Sequence, residues 1–269
     1  HYAMRWRDYR CLLQVNKNFF QIILSTNQQQ VDSLPDLLEE ASTLSQSFLS
    51  DFSYKRWNNQ SLRDFISTSF SSDVLEAYDI LQPLSYKADL GRYCLLQSFG
   101  GWYADISLKI VSPLLCQVPV QGLGFFRDYG PGIPSPMANV FDVVNGLFYA
   151  EAGHPALKRC IDQIVYNVKN KYYGFTSVSP TGPRLFGRVL AGFDLGAVRQ
   201  VGHFMPLTSG FRHRNLAYVS NTGVIYAWHK TSWHPEKPGG GDLTSVGLRG
   251  TNNYNEIWKN RQVYGENAS

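Results

Sequence analysis

Residues 87–107, KADLGRYCLLQSFGGWYADIS, read as a helix, a stop and a strand. The pattern is helical up to Phe99, and the Gly100-Gly101 pair supplies the left-handed conformation at which helices end. The aromatic run from Trp102 then reads as a strand with one acid, Asp105, near its end. Ser107 stands two places on, where a second acid could be expected.

Working outward from this stretch, residues 19–24, FFQIIL, are short, apolar and β-prone, a first buried strand running into the polar loop STNQQQ. SLPDLLEEASTLSQSFL follows with Leu34, Leu37, Leu38, Ala41, Leu44 and Phe48 at helical spacing, Asp32 or Ser33 as cap, and early acids. Strand then helix opens an α/β unit. FSYKRWNN reads as a second strand, and SLRDFI sets Ser61 and Asp64 in a capping-box-like arrangement. DVLEAYDIL is helical. Downstream, GLGFF, VFDVVNGLFYA and VRQVGHF are short strands, and residues 155–174 form a helix that opens on Pro155 and closes on Gly174. AYVSNTGVIYAW is a hairpin around Asn221-Thr222-Gly223. With no internal repeat and no second boundary, the chain is expected to be one domain over residues 1–269, with a flexible tail or lid from 235 announced by EKPGGGD.

The 269 residues, 43% hydrophobic and 14% aromatic, suffice for a substantial core. The net charge of +4 comes without any run of like charges, so nucleic acid is not an expected partner, whereas a phosphate-bearing ligand or an anionic membrane surface is compatible. Cys11, Cys94, Cys116 and Cys160 are scattered, without zinc spacing, and read as reduced thiols of a cytosolic chain. No stretch reaches the ~20 apolar residues of a membrane span. The expected location is cytoplasmic, at the inner face of a membrane if Trp6 among Arg5, Arg7 and Arg10 touches one. A secretory lumen follows instead if an N-terminal anchor has been trimmed, and the sequons at Asn59 and Asn267 matter only then.

Three groups can carry chemistry. Asp89 and Arg92, three residues apart, leave one helix face together, either as a surface ion pair or as a pair that binds sugar hydroxyls. Asp105 lies just past the strand core, where α/β scaffolds display ligand groups, and suits magnesium or manganese. In Trp228-His229-Lys230-Thr231-Ser232-Trp233, neutral His229 can ligate a metal, Lys230 and Ser232 can hold phosphate oxygens, and Trp233 can close over a nucleotide. A metallohydrolase would require acids or histidines clustered around two metals, and the sequence does not offer them.

The opening stretch resembles the core motif of glycosyltransferase family 32, the DXD sugar transferases, which runs roughly K-A-D-x-x-R-Y-x-x-L-x-x-x-G-G-x-Y-x-D-x-D. The family includes initiating mannosyltransferases and capsular polysaccharide enzymes. Further matches keep the family's order over residues 19–233: FFQIIL, YKRWNN, the asparagine and GHP of VVNGLFYAEAGHP, the TGP of SPTGPRLFGRVL, and HKTSW. The resemblance implies an α/β GT-A fold, a Rossmann-like, mostly parallel mixed sheet with helices on both faces. It implies retaining transfer of a sugar from a UDP- or GDP-linked donor to a hydroxyl of a glycan, glycolipid or polysaccharide, assisted by Mn2+ or Mg2+. Asp89 and Arg92 would hold the donor sugar. Asp105, Ser107 and His229 would form the metal shell, and Lys230, Ser232 and Trp233 would close over the diphosphate. Asn145, with Asp105, would lie at the reacting carbon.

The departure is Ser107, whose neutral hydroxyl attracts a divalent cation far less than a carboxylate does. Metal affinity should fall unless Asp128, Asp142 or Glu151 replaces it. The alternatives are transfer without a metal, relying on Lys and Arg charge, or a nucleotide-sugar binder that has lost catalysis.

Overall fold

The structure is a computed structural model that describes residues 17–112, 122–129, 142–194, 196–207, 216–234 and 240–265. The N-terminal arm with Trp6, and also Cys11, Cys116 and Asn267, lie outside the described residues. Strand β1 (Asn18–Ile22) leads through buried Ile23 and Leu24. Part of the expected loop winds into a short helix, α1 (Gln28–Asp32), because the Asn27 side chain caps the Gln30 N–H. Helix α2 (Asp36–Phe48) starts at Pro35 without a side-chain cap, so neither Asp32 nor Ser33 caps it; Asp36 and Glu39 in its first turn favour the helix dipole instead. After β2 (Ser53–Trp57), α3 (Asn59–Ser69) has a capping box one turn earlier than expected. Asn58 is the cap, and Ser61 returns the bond at 2.9 Å in each direction.

Helices α4 (Ser72–Ile80) and α5 (Leu84–Phe99) follow, and α5 stops at Gly100 with φ 61°. Gly101, with φ 112°, opens β3 (Gly101–Ala104); a Cβ there would lie 2.3 Å from the Asn18 carbonyl oxygen, so only glycine lets β3 close on β1. The remaining elements are β4 (Lys109–Ile110), β5 (Leu123–Asp128), β6 (Val143–Ala150), α6 (Pro155–Lys169), α7 (Pro183–Leu190), β7 (Val198–Pro206), β8 (Leu216–Ser220), β9 (Ile225–Trp228), α8 (Lys230–Trp233) and α9 (Tyr254–Lys259). Helix α6 ends before Gly174 because Lys171 takes the left-handed conformation, φ 46°, and the Tyr172 N–H turns back to the Asn167 carbonyl.

The strands form one mixed sheet in the order β2-β1-β3-β6-β5-β7-β8-β9-β4. The mixed sheet flanked by helices is as expected, but its parallel character is not dominant. Pairs β1–β2, β1–β3 and β5–β7 are parallel, and the other five are antiparallel. The reason is that β6 returns between β3 and β5, and the β8–β9 hairpin extends the far side. Side chains alternate along the strands: Phe20, Ile22, Tyr103 and Phe148 join the core under α3 to α7, while Phe19, Trp102, Leu147 and Tyr149 join a second core on the opposite face.

The expected strand over residues 102–111 is broken by a turn, in which the Leu108 N–H bonds the Asp105 carbonyl at 3.0 Å. Only residues 105–108 separate β3 from β4, a reach of at most ~18 Å. Six strand spacings between their places in the sheet would cover ~29 Å if the sheet were flat. The β8–β9–β4 end must therefore bend back over the carboxyl end of β3, and it carries the residues after β9 toward Asp105.

Candidate functional site

From β1 the chain places β2 on one side and β3 on the other. In open α/β sheets, ligands bind outside the carboxyl ends of the strands at such a point. A cavity of about 310 Å³ opens there. Its wall includes the end of β1, Asp105 and Ser107 from the turn after β3, Asp89 and Arg92 from α5, Asn145 and Gly146 from β6, and His229 and Lys230 beyond β9. Seven residues singled out in the sequence thus share one cavity, although 141 positions separate the first from the last.

Asp89 and Arg92 are 7% and 5% exposed, so they are not a surface ion pair. Arg92 Nη2 lies 3.3 Å from Asp89 Oδ1, and Arg92 Nη1 lies 3.3 Å from Asp105 Oδ1. Nη1 also donates to the Asn145 carbonyl at 2.6 Å, and the guanidinium sits 4.5 Å over the Tyr103 ring. The Tyr103 hydroxyl donates to Asp105 Oδ1 at 2.9 Å. Asp89 accepts from Asn145 Nδ2 at 2.8 Å and from Thr181 Oγ1 at 2.7 Å. Asn145 Nδ2 donates as well to the Tyr93 hydroxyl at 2.9 Å, so both amide hydrogens are committed and the Oδ1 acceptor is what this side chain can offer a ligand. The pair expected to grip a sugar therefore also orients Asp105 and Asn145.

Burial pushes the Asp89 carboxyl above its usual range, opposed by Arg92 and by the Thr181 and Asn145 hydrogen bonds. Burial acts against the charged guanidinium of Arg92, but Tyr103, Asp105 and Asp89 outweigh it and raise its pKa. The buried Tyr103 phenol is held well above its normal value and so remains a donor to Asp105. Gly146 allows the close packing: a Cβ would stand 2.7 Å from Asp105 Oδ2 and 2.8 Å from the Tyr218 hydroxyl.

His229 caps α8, its Nδ1 accepting the Thr231 N–H at 3.3 Å and lying 2.9 Å from Thr231 Oγ1. Burial, aided by Lys230, pushes the imidazole down to about 3, so the ring is neutral. With Nδ1 as acceptor, the proton sits on Nε2, which makes this nitrogen a donor rather than a metal ligand. A folded pKa below the ordinary value of ~6.5 means that the unfolded chain binds the extra proton. Stability from this group is complete above about pH 6.5 and is lost as pH falls toward 3. We expect the His229 ring signals in NMR to stay flat from pH 8 to 5; a midpoint near the ordinary histidine value would contradict the buried placement.

Ser232 and Trp233 do not reach the cavity. The Ser232 hydroxyl donates to the Leu216 carbonyl at 2.5 Å, and Trp233 packs at the edge of a third apolar cluster under Lys109, whose ammonium lies 4.6 Å over its ring. The cation shell does not fit well either. Among the described residues, no group of three or more His, Cys, Asp or Glu side chains is placed to hold a metal ion. Buried Asp142 pairs with Arg184 at 3.3 Å. Glu151 follows Ala150, which pairs with Gly101, so it lies at the opposite end of β3 from Asp105. Asp128 ends β5 outside the cavity wall.

Sequence reasoning missed several wall residues. Tyr103, two places before Asp105 in the strand, carried a signal in its spacing, and so did Thr181, which lies in the TGP match and bonds Asp89 from outside the wall. Thr251, Tyr254, Gly241 and Leu243 carried none. They belong to residues 240–265, which are packed rather than a free tail: Val246 and Leu248 are buried with Ile23 and Ile106, and Ser25 Oγ and the Thr26 N–H bond the Arg249 and Gly250 carbonyls at 2.5 and 3.0 Å. Cys94 and Cys160 are buried free thiols.

No family model matches the chain. An uncharacterized glycosyltransferase of Acanthamoeba polyphaga mimivirus is 29% identical over 193 residues, 68% of this chain and 71% of that protein. Inositol phosphoceramide mannosyltransferase 3 of Schizosaccharomyces pombe is 23% identical over 197 residues, covering 70% of this chain but 49% of the yeast protein, so the chain spans about half of its length. The solved PaToxG glycosyltransferase shares the fold, with a TM-score of 0.50 and 16% identity over 65% of this chain and 69% of its own. The relatives make the chain a glycosyltransferase, an enzyme that moves a sugar from a donor to an acceptor. Among the described residues, no helix is long and apolar enough to cross a membrane.

Proposed function

We propose that the chain transfers a sugar from a nucleoside-diphosphate donor, UDP- or GDP-linked, to a hydroxyl of a glycan, glycolipid or polysaccharide, with retention at the anomeric carbon. The observation that carries this reading is the single cavity at the turning point of the strand order, where Asp89, Arg92, Asp105, Asn145, His229 and Lys230 converge. In the reaction the bond from the anomeric carbon to the diphosphate oxygen breaks, the acceptor oxygen bonds that carbon, and the acceptor proton leaves with the departing phosphate. Retention suits this wall: Asp89 is bound by Arg92, Asn145 and Thr181, an arrangement for holding charge rather than for nucleophilic attack. Asp105, 41% exposed at its side chain, is the carboxylate offered to the donor. The wall also has to meet the charge that grows on the diphosphate, through Mn2+ or Mg2+ as the motif implies or through its own cations.

The test is release of nucleoside diphosphate across a panel of UDP- and GDP-sugars with candidate acceptors. Because the fission yeast relative is named for mannose transfer to inositol phosphoceramide, a mannosyl donor and a lipid acceptor are tried first. One donor should be consumed, and Asp105→Ala should lower turnover by about 10²–10³-fold with little change in melting temperature. Donor binding without turnover under every condition would instead favour a non-catalytic binding protein, the reading that Ser107 raises.

A further inference from the structure

The nucleotide-sugar reading, on which this inference rests, requires positive charge beside the donor's diphosphate. Three features of the wall disfavour a divalent cation in that role. Asp105 Oδ1 is already held by the Tyr103 hydroxyl at 2.9 Å and by Arg92 at 3.3 Å. His229 presents a proton on Nε2 rather than a lone pair, because the Thr231 N–H and hydroxyl take its Nδ1. The acids of the cavity wall, Asp89 and Asp105, are matched by two fixed cations, Arg92 and Lys230, so a divalent ion would enter against two like charges. Ser107 adds no charge to change that balance.

Lys230 is different from Arg92. Its carboxylate neighbours act on it from a distance: Asp105 in the wall and Asp242, which is itself held by the Thr244 N–H and by the Thr244 and Thr251 hydroxyls at 2.6–3.0 Å. Among the described residues its ammonium makes no hydrogen bond or ion pair, although it is half-buried in the wall of the cavity. A cavity-lining ammonium with no protein partner has its three donors available to a ligand that brings acceptors. A diphosphate carries more charge than either carboxylate and offers several acceptors to the three donors of an ammonium.

We propose that Lys230 is the built-in cation of this site, the group that anchors the donor's diphosphate, and that the chain binds nucleoside diphosphates without a divalent metal ion. Arg92 supports it from beneath by keeping Asp105 turned toward the cavity.

The experiment is calorimetric binding of UDP and of GDP, in EDTA and in Mn2+, to wild type, Lys230→Met and Lys230→Arg. The wild type should bind one of the two nucleotides with affinities in EDTA and Mn2+ that agree within about twofold. Lys230→Met should weaken binding by about 10–100-fold in both media, the range for a lost hydrogen bond to a charged group, and Lys230→Arg should recover most of it. The melting temperature of Lys230→Met should not fall, because the change removes an unpaired charge, and this separates lost binding from lost folding. Wild-type binding that requires Mn2+ would overturn the proposal while leaving the nucleotide-sugar reading intact. Tight binding in EDTA that survives Lys230→Met would overturn the role of Lys230. Failure of both nucleotides in both media would bring down the nucleotide-sugar reading itself, and this inference with it.

Discussion

Gly146→Ala should produce a folded protein that has lost about 10²-fold of its turnover. The added methyl would lie 2.7 Å from Asp105 Oδ2 and 2.8 Å from the Tyr218 hydroxyl. Both are tips of side chains, so the structure can yield, and the melting temperature should move little. The yielding group, however, is the carboxylate that the proposed function offers to the donor. A displacement of about an ångström breaks the geometry in which Arg92 and the Tyr103 hydroxyl hold Oδ1. The backbone at Gly146 also has a fixed task, since its carbonyl accepts the Asp105 N–H at 2.8 Å. Circular dichroism melts beside steady-state rates check the claim; a large loss of stability with an unchanged rate per folded molecule would refute it.

Arg92→Met acts in the opposite way, on the fold first. The guanidinium is the common partner of Asp89, Asp105 and the Asn145 carbonyl, and it sits over Tyr103. Methionine keeps much of the bulk but leaves the Asp89 carboxylate buried without its counter-charge. Removing one partner of a buried pair costs about 3–5 kcal/mol, which corresponds to a fall in melting temperature of roughly 6–20 °C. Adding Asp89→Asn should restore part of the loss, because a neutral amide can remain in place without a cation. If the double variant melts no higher than Arg92→Met alone, the stranded charge is not the cause.

How much could be read beforehand depended on distance along the chain. The glycine stop at 100–101, the strands around Phe20, Trp57 and Tyr103, and the hairpin at Asn221 were legible because each rests on local patterns of burial and turn chemistry. The direction of strand pairing was not. Nothing within VFDVVNGLFYA states that it runs antiparallel between β3 and β5, and the short β4 was concealed within one apolar run. The same division holds in the site. Asp89, Arg92, Asp105, Asn145, His229 and Lys230, singled out by their context in a known order, line one cavity. Ser232 and Trp233 lie outside the cavity wall, because a motif gives residue types but not which side of a four-residue helix they leave from. Thr251 and Tyr254 were missed because their place in the wall is decided by contacts such as that between Ser25 and Arg249, 224 positions apart.

That late wall has a consequence for how the protein is made. Residues 17–234 hold the central sheet and every charged residue of the cavity wall, yet the pocket is closed by Gly241, Leu243, Thr251 and Tyr254. Synthesis proceeds from the N-terminus at about 5–20 residues per second, and domains begin to fold as they emerge. A nascent chain still held in the ribosome's exit tunnel at residue 240 can assemble its sheet but leaves Ile23 and Ile106 uncovered. In synthesis the cavity is closed only after the sheet is available, when residues 240–265 clear the tunnel and dock.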